Sequence, residues 1–276
     1  AMSTEVIEFR ESQLAIADGI ATFTHQKPAA RNALSLDLRE DYADMLDRVE
    51  ADRSLRALII TGSGGSFCAG GDIKSLKERQ VSTDPEVNSA NAMRLRIRRL
   101  HGWLERLRGL EIPVIAAVDG PAYGAGFAIA LLADFIVASN RASFCMPFAK
   151  LGLVPDSGAL YTLPRAVGLQ KAKELLFSAR RVSIEEARDL GIVHSIHTQE
   201  ELPAAAHSLA RRFLTSPRDA IAMSKRLLNQ SYETNWNAMA ELEGLAQGVA
   251  STAPYHDEAV SAFLRGEPSR YDWDRD

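Results

Sequence analysis

One carboxylate, Asp156, stands in an otherwise apolar stretch, "LGLVPDSGALYTLPRAVG", that runs from Leu151 to Gly168. Two glycine-rich loops lie upstream, "SGGSFCAGGDIKSL" (63–76) and "PAYGAGFAIALLAD" (121–134). Each follows a short apolar run, "LIITG" or "VIAAVDG", and leads into a helical pattern. Glycine lets backbone take positive φ and approach a ligand closely. A helix start just beyond the turn presents unpaired N–H groups. Two such loops can each aim one N–H at a single carbonyl oxygen and hold the negative charge that develops on it. Each donor contributes about 2.7–4 kcal/mol in a transition state. The same glycines also suit tight turns and close helix packing. A carboxylate with an apolar wall, here Phe148, Leu153, Val154 and Leu160, has a raised pKa and can both take and return a proton. The competing role for Asp156 is a helix cap, because Pro-Asp-Ser-Gly before "ALYTL" suits an N-terminus.

Several chemistries are disfavoured by spacing. In the second loop the third position of a dinucleotide fingerprint is Ile129, and Asn140 and Arg141 stand where its acid would fall, which argues against a Rossmann dehydrogenase. A phosphate-binding G-x-x-x-x-G-K-[ST] and a nucleophile-elbow G-x-S-x-G are both missing. The two cysteines, Cys68 and Cys145, supply neither a disulfide framework nor a zinc site. They read as small buried hydrophobes in a reducing compartment. His25 and His101 fall outside the loops and suit core or surface roles, and Tyr123 and Tyr161 either line a pocket or pack.

The elements that must position these residues follow from periodicity. "LAIADGIATFTHQ" reads as two strands around an Asp18-Gly19 turn. "SLDLREDYADMLDRVEAD" is a helix capped by Ser35, with Leu38, Tyr42, Met45, Leu46 and Val49 at helical spacing. "RALIITG", "IPVIAAVDG" and "DFIVAS" read as strands buried on both faces. "SIEEARDLG" carries a capping box, Ser183 with Glu186, and a Gly191 stop. Strands and helices alternate to about Ile196, which defines an α/β class. We expect an α/β core over residues 1–199 that carries the site. Residues 200–276 read as a helical region, broken at Ser216-Pro217, whose apolar surface suits packing on a neighbouring subunit or on its own domain equally.

Hydrophobic residues make up 46% of the 276 positions, charged residues 25%, and the net charge is −4. That balance fits a globular chain and offers no basic stripe for nucleic acid. "RLRIRRL" from Arg94 reads as a helix with a solvated face. No run is long enough to span a membrane, and "AMSTEVIEF" lacks a signal-peptide pattern, so the expected location is the cytoplasm.

"KPAARNALS" from Lys27, "FCAGGDIKSL" from Phe67, "VDGPAYGAGFAIALLADF" from Val118 and the stretch around Asp156 together resemble the crotonase (enoyl-CoA hydratase/isomerase) superfamily. The likeness continues through "LGIVHSI" and "AVSAFLRGEPSRY" and covers nearly the whole chain. It implies a spiral of ββα repeats with C-terminal helices that assemble a homotrimer or a dimer of trimers. It implies an acyl-CoA thioester substrate, with coenzyme A as part of the substrate and no prosthetic group, metal, nucleic acid or membrane partner. The implied oxyanion hole is the N–H pair of Gly71 and Ala125. Coenzyme A contacts fall on Arg31, Ala33, Ala69, Asp72 and Ile73, and Phe263 matches a tail aromatic that reaches a neighbour's site.

Two departures matter. Hydratases of the superfamily use two glutamates; Ala128 (or Phe127) and Phe148 occupy those positions here. Isomerases of the superfamily place their carboxylate where Asp156 stands. "GLVPDSG" most resembles the ring-epoxide/oxepin-CoA isomerase type of phenylacetate breakdown. The favoured reading is therefore an acyl-CoA isomerase of fatty or aromatic acid catabolism, with Asp156 as proton shuttle. The alternatives are a hydratase with a non-standard acid/base set and an acyl-CoA-binding protein with little turnover. Residues 78–100 are expected to cover the acyl chain, and Glu86 within them is a candidate second acid.

Overall fold

Period-two burial builds the main sheet of the computed structural model, which describes residues 3–275. Strands β1 (Glu5–Glu8), β2 (Ser12–Ala17) and β3 (Ile20–His25) form an antiparallel meander. Asp18 and Gly19 join β2 to β3 with positive φ at both positions, 51° and 78°. That is the two-residue turn whose twist matches paired strands. From β3 onward the pairing is parallel, through β4 (Ala57–Thr61), β5 (Val114–Val118), β7 (Phe135–Ser139) and β10 (Ser195–His197). A second sheet of three strands has the order β6 (Pro121–Tyr123), β8 (Ser143–Cys145), β9 (Arg181–Ser183).

Helices fill the crossovers: α1 (Leu36–Glu50), α2 (Ile73–Val81), α3 (Ala90–Arg108), α4 (Ala125–Leu132), α5 (Ala159–Val167), α6 (Leu169–Ser178) and α7 (Ile184–Asp189). Leu58, Ile60, Val114 and Ala116 point to the face that packs on α1, α3 and α4. The alternate residues Ala57, Ile59, Ile115 and Ala117 meet Leu202, Ala206 and Leu209 of α8 (Leu202–Arg211) on the other face. Burial on both faces explains why these strands read as continuous apolar runs.

Helix α1 begins where expected, with the Leu38 N–H donating to Ser35 Oγ at 3.1 Å. Its buried Asp41 accepts from the backbone N–H groups of Arg10 and Glu11 and from Ser12 Oγ, which clamps α1 to the β1–β2 corner. The capping box at α7 is only half formed. Glu186 N–H donates to Ser183 Oγ, but the Glu186 carboxylate pairs with Arg180 at 2.6 Å instead of turning back.

The chain breaks at Ser216-Pro217 before α9 (Arg218–Asn229), then continues as α10 (Trp236–Ser251) and α11 (Pro254–Leu264). Lys225 on α9 anchors this region: its ammonium lies 2.8 Å from Asp134 and donates to the Ile112 carbonyl at 3.0 Å. Helices α10 and α11 bury no residue. Among the described residues no helix is long and apolar enough to cross a membrane.

Candidate active site

The two glycine loops meet backbone to backbone. Tyr123 N–H donates to the Cys68 carbonyl at 3.0 Å, and Cys68 and Ala122 form an isolated parallel bridge. On the other side Leu34 N–H donates to Gly70 O, and Ala69 N–H to Arg31 O. Gly70 has φ +103°, and a Cβ there would sit 2.9 Å from the Tyr123 carbonyl oxygen. Only glycine fits so close an approach. Gly71 follows at the exit of the first loop, and Ala125 opens α4 after Gly124, whose φ is 54°. Both residues line one cleft of about 570 Å³. Among the described residues neither N–H has a hydrogen-bond partner. Unpaired backbone donors beside a cavity are available to a ligand.

Asp156 lines the same cleft, together with Phe148, Leu153 and Val154. Burial raises its pKa; the Ser157 hydroxyl, which donates to it at 2.9 Å, and the charges of Arg39 and His101 pull it part of the way back. The helix-cap role does not hold. Helix α5 starts at Ala159 behind Gly158, and no side chain caps it. Asp156 contributes only its backbone carbonyl, to Ala159 N–H. Ser157 is fully buried with φ 57°, so the turn that presents the carboxylate is locally strained.

The other expected residues divide. Ala69, Asp72 and Ile73 line the cleft, whereas Arg31 and Ala33 lie beside it. Asp72 caps α2 through Lys74 N–H and Ser75 N–H, and with the Ser75 hydroxyl these bonds lower its pKa. Phe263 is 81% exposed on α11 and does not line this chain's cleft. Leu160 is not part of the apolar wall; as the second residue of α5 it turns outward. Ala128 and Phe127 are buried in the core, so the position of the first hydratase glutamate holds no polar group. Glu86 is exposed in the turn before α3 and supplies no second acid to the cleft.

Both histidines are accounted for by packing or exposure. His25 is buried between the Phe67 carbonyl and the Tyr42 hydroxyl, and burial lowers its pKa to about 4. His101 is exposed. Tyr123 meets the Ser143 hydroxyl, while Tyr161 donates to the Asn229 carbonyl beneath the Arg165 guanidinium, so both tyrosines pack. Cys68 and Cys145 are free and buried. Among the described residues no group of three or more His, Cys, Asp or Glu could hold a metal ion.

Three charged cleft residues were not expected from the sequence: Arg39 on α1, Arg79 on α2 and Arg96 on α3. Segment 78–100 does line the cleft, but it brings arginines where an acid was sought. Each arginine lies three residues after an apolar cleft residue, namely Leu36, Leu76 and Met93. That i, i+3 spacing puts each pair on one helix face and was the available signal.

Comparison with known proteins fits this geometry. The enoyl-CoA hydratase/isomerase family model matches residues 15–272. The chain is 34% identical over 250 residues to 1,2-epoxyphenylacetyl-CoA isomerase of Escherichia coli (strain K12), covering 90% of this chain and 93% of that one. It is 32% identical over 253 residues to crotonyl-CoA hydratase of Syntrophomonas wolfei, covering 91% and 94%. The crystal structure of an enoyl-CoA hydratase/isomerase from Cupriavidus metallidurans CH34 superposes with a TM-score of 0.90 at 37% identity, over 96% of this chain and 97% of that one. The chain belongs to the enoyl-CoA hydratase/isomerase family, within the crotonase superfamily.

Proposed function

We propose that the protein is an acyl-CoA isomerase in which Asp156 moves a proton while the amides of Gly71 and Ala125 hold the thioester oxygen. The observation that carries this reading is the state of the cleft's carboxylates. Among the described residues two line it, and Asp72 is tied up capping α2. Asp156 is left with one serine hydroxyl and a pKa raised by burial.

The chemistry follows from that arrangement. The thioester carbonyl oxygen sits at the two free N–H groups. Asp156 removes a proton from the carbon next to the carbonyl, and the C–H electron pair becomes an enolate with its charge on the oxygen. The protonated Asp156 then returns the proton two carbons further along, and the double bond shifts without gain or loss of atoms. A proton carried on Asp156 near a ring oxygen would serve ring-epoxide isomerisation with the same oxyanion hole. Hydration instead needs one group to activate water and another to protonate carbon. Positions 128 and 148 are Ala and Phe, which weighs against it.

Coenzyme A is assigned to Arg31, Ala33, Ala69, Asp72 and Ile73, in support of which the last three line the cleft and the Ala69 N–H donates to the Arg31 carbonyl. We assign residues 200–276 to assembly of a homotrimer or a dimer of trimers, with Phe263 reaching a neighbour's site. Trp236 and Phe263, 86% and 81% exposed, head an apolar surface that a lone chain rarely leaves open. The free cysteines fit a cytoplasmic setting.

The test is turnover of 3-enoyl, 2-enoyl and ring-epoxide thioesters in labelled water, with products weighed by mass spectrometry. A rearranged product of unchanged mass supports the reading; a product one water heavier identifies a hydratase.

A further inference from the structure

Arg39, Arg79 and Arg96 come from three different helices and converge on the cleft that holds Asp156. The Nε atoms of Arg39 and Arg79 are buried and have no hydrogen-bond partner. Among the described residues neither guanidinium takes part in any hydrogen bond, and neither forms an ion pair within 4 Å. Arg96 reaches only the Val87 carbonyl at 3.5 Å and the Met93 sulfur at 3.7 Å.

These charges repel one another. Burial and the Arg79 charge hold Arg39 below its ordinary pKa, and burial with Arg79, Arg39 and Arg99 does the same to Arg96. The opposite charge they face is Asp156, which interacts with Arg39 but forms no ion pair with it. Asp72 is held by α2, and His101 adds no negative charge. Buried donors are normally satisfied, and leaving them empty is costly. A guanidinium fork matches a carboxylate with two parallel bonds. Arg39 and Arg79, with buried empty donors, and Arg96 beside them in a largely apolar cleft are thus a receptor for an anion that the ligand must bring.

We infer that the cleft selects thioesters whose acyl group carries a second, anionic substituent, a carboxylate, held by Arg39 and Arg79 with Arg96 behind them. The inference rests on the acyl-CoA reading above and names the class of acyl group. Its placement follows from the groups that share the cleft. The free amides of Gly71 and Ala125 mark the thioester oxygen, and Asp156 marks the reacting carbons. Arg39, Arg79 and Arg96 line the same cleft as Asp156, and the Arg39 charge acts on Asp156, so we place the anion site beside the reacting carbons.

Anions could also come from the coenzyme's phosphates, and binding to unreactive thioesters separates the two sources. Dissociation constants would be measured by calorimetry for glutaryl-CoA, for valeryl-CoA, which has the same chain length without the carboxylate, and for free coenzyme A. The inference predicts that glutaryl-CoA binds at least about tenfold more tightly than valeryl-CoA, the scale of one charge-assisted bidentate pair. Arg39→Gln and Arg79→Gln each shrink that ratio to about twofold or less, and leave valeryl-CoA and free coenzyme A unchanged. Arg39→Lys keeps the charge and restores only part of the ratio.

Neither guanidinium forms a hydrogen bond or an ion pair with the rest of the fold among the described residues, so the variants should melt close to the wild type, which thermal denaturation checks. Equal binding of the two thioesters to the wild type overturns the inference. So does a uniform weakening of all three ligands in the variants, which places the guanidiniums on coenzyme phosphates. Since saturated thioesters do not isomerise, these outcomes are independent of whether the protein is an isomerase. Binding of no thioester at all would overturn the acyl-CoA reading as well.

Discussion

A Cβ on Gly126 would stand 2.1 Å from the carbonyl oxygen of Cys68. The first turn of α4 therefore rests directly on the backbone of the 63–72 loop. This contact sets the separation of the two amides in the cleft. Backbone atoms cannot swing aside as a flexible side chain can, so Gly126→Ala must push the loops apart. Loss of one oxyanion donor lowers kcat by about 10²–10³-fold. Steady-state kinetics on Gly126→Ala should show a fall of that order, with a lower melting temperature. Gly71→Ala is the control for folding: its added Cβ meets nothing within 4 Å, and the melting temperature should stay at the wild-type value.

Asp156 must be ionised to take a proton, and burial raises its pKa above the ordinary 3.8. The rate, kcat/KM, should therefore fall as pH drops through an apparent pKa higher than that of a free carboxylate. The stability effect has the opposite sense. A carboxyl group whose folded pKa is raised holds its proton more tightly in the folded state, so folding is favoured below that pKa and loses stability as pH rises through it. At neutral pH the charged Asp156 is a cost to the fold. Asp156→Asn should melt higher than wild type at pH 7, which thermal denaturation checks. A stabilised but inactive variant is the mark of a group kept for chemistry.

Arg39 lowers the Asp156 pKa through its charge. Arg39→Gln removes that pull, so the acid limb of the pH–rate profile should move to higher pH. Arg39→Lys, which keeps the charge, should leave the limb near its wild-type position. A pH–rate series on the three proteins checks this with any substrate that turns over.

The Lys225–Asp134 pair joins α9 to the turn before β7. Asp134 accepts from the Val114 N–H at 2.8 Å, and burial raises its pKa against the pull of Lys225. Lys225→Met leaves that carboxylate enclosed without its cation. Removing one partner of such a pair costs about 3 kcal/mol. Urea denaturation should show the loss, and Lys225→Met with Asp134→Asn together should recover part of it.

Much of the framework was legible because it is written in short-range spacing. The apolar runs of β4, β5 and β7, the Asp18-Gly19 turn and the Ser35 cap each depend on neighbours within a few residues. That Gly71, Ala125 and Asp156 belong to one cleft was readable from ordered motifs. What was not readable depends on which elements meet. Arg39, Arg79 and Arg96 sit on three helices, and no single helix pattern says that their faces converge. Leu160 is not in the wall because α5 turns Ala159 and Leu163 into the core and leaves Leu160 outside. Glu186 left its capping box because Arg180 offers a charged partner, and the choice between pocket and packing for Tyr161 was decided by the Asn229 carbonyl, 68 residues away.

The most direct test of the central claim is the turnover of a 3-enoyl-CoA by wild type and Asp156→Asn, with the dissociation constant of a saturated thioester measured alongside. Asparagine keeps the shape and removes the base. General acid–base groups contribute about 10²–10⁴-fold. The account predicts a loss in kcat of about that size with thioester affinity unchanged. A variant that retains the wild-type rate would contradict it, and the proton would then be carried by a group other than Asp156.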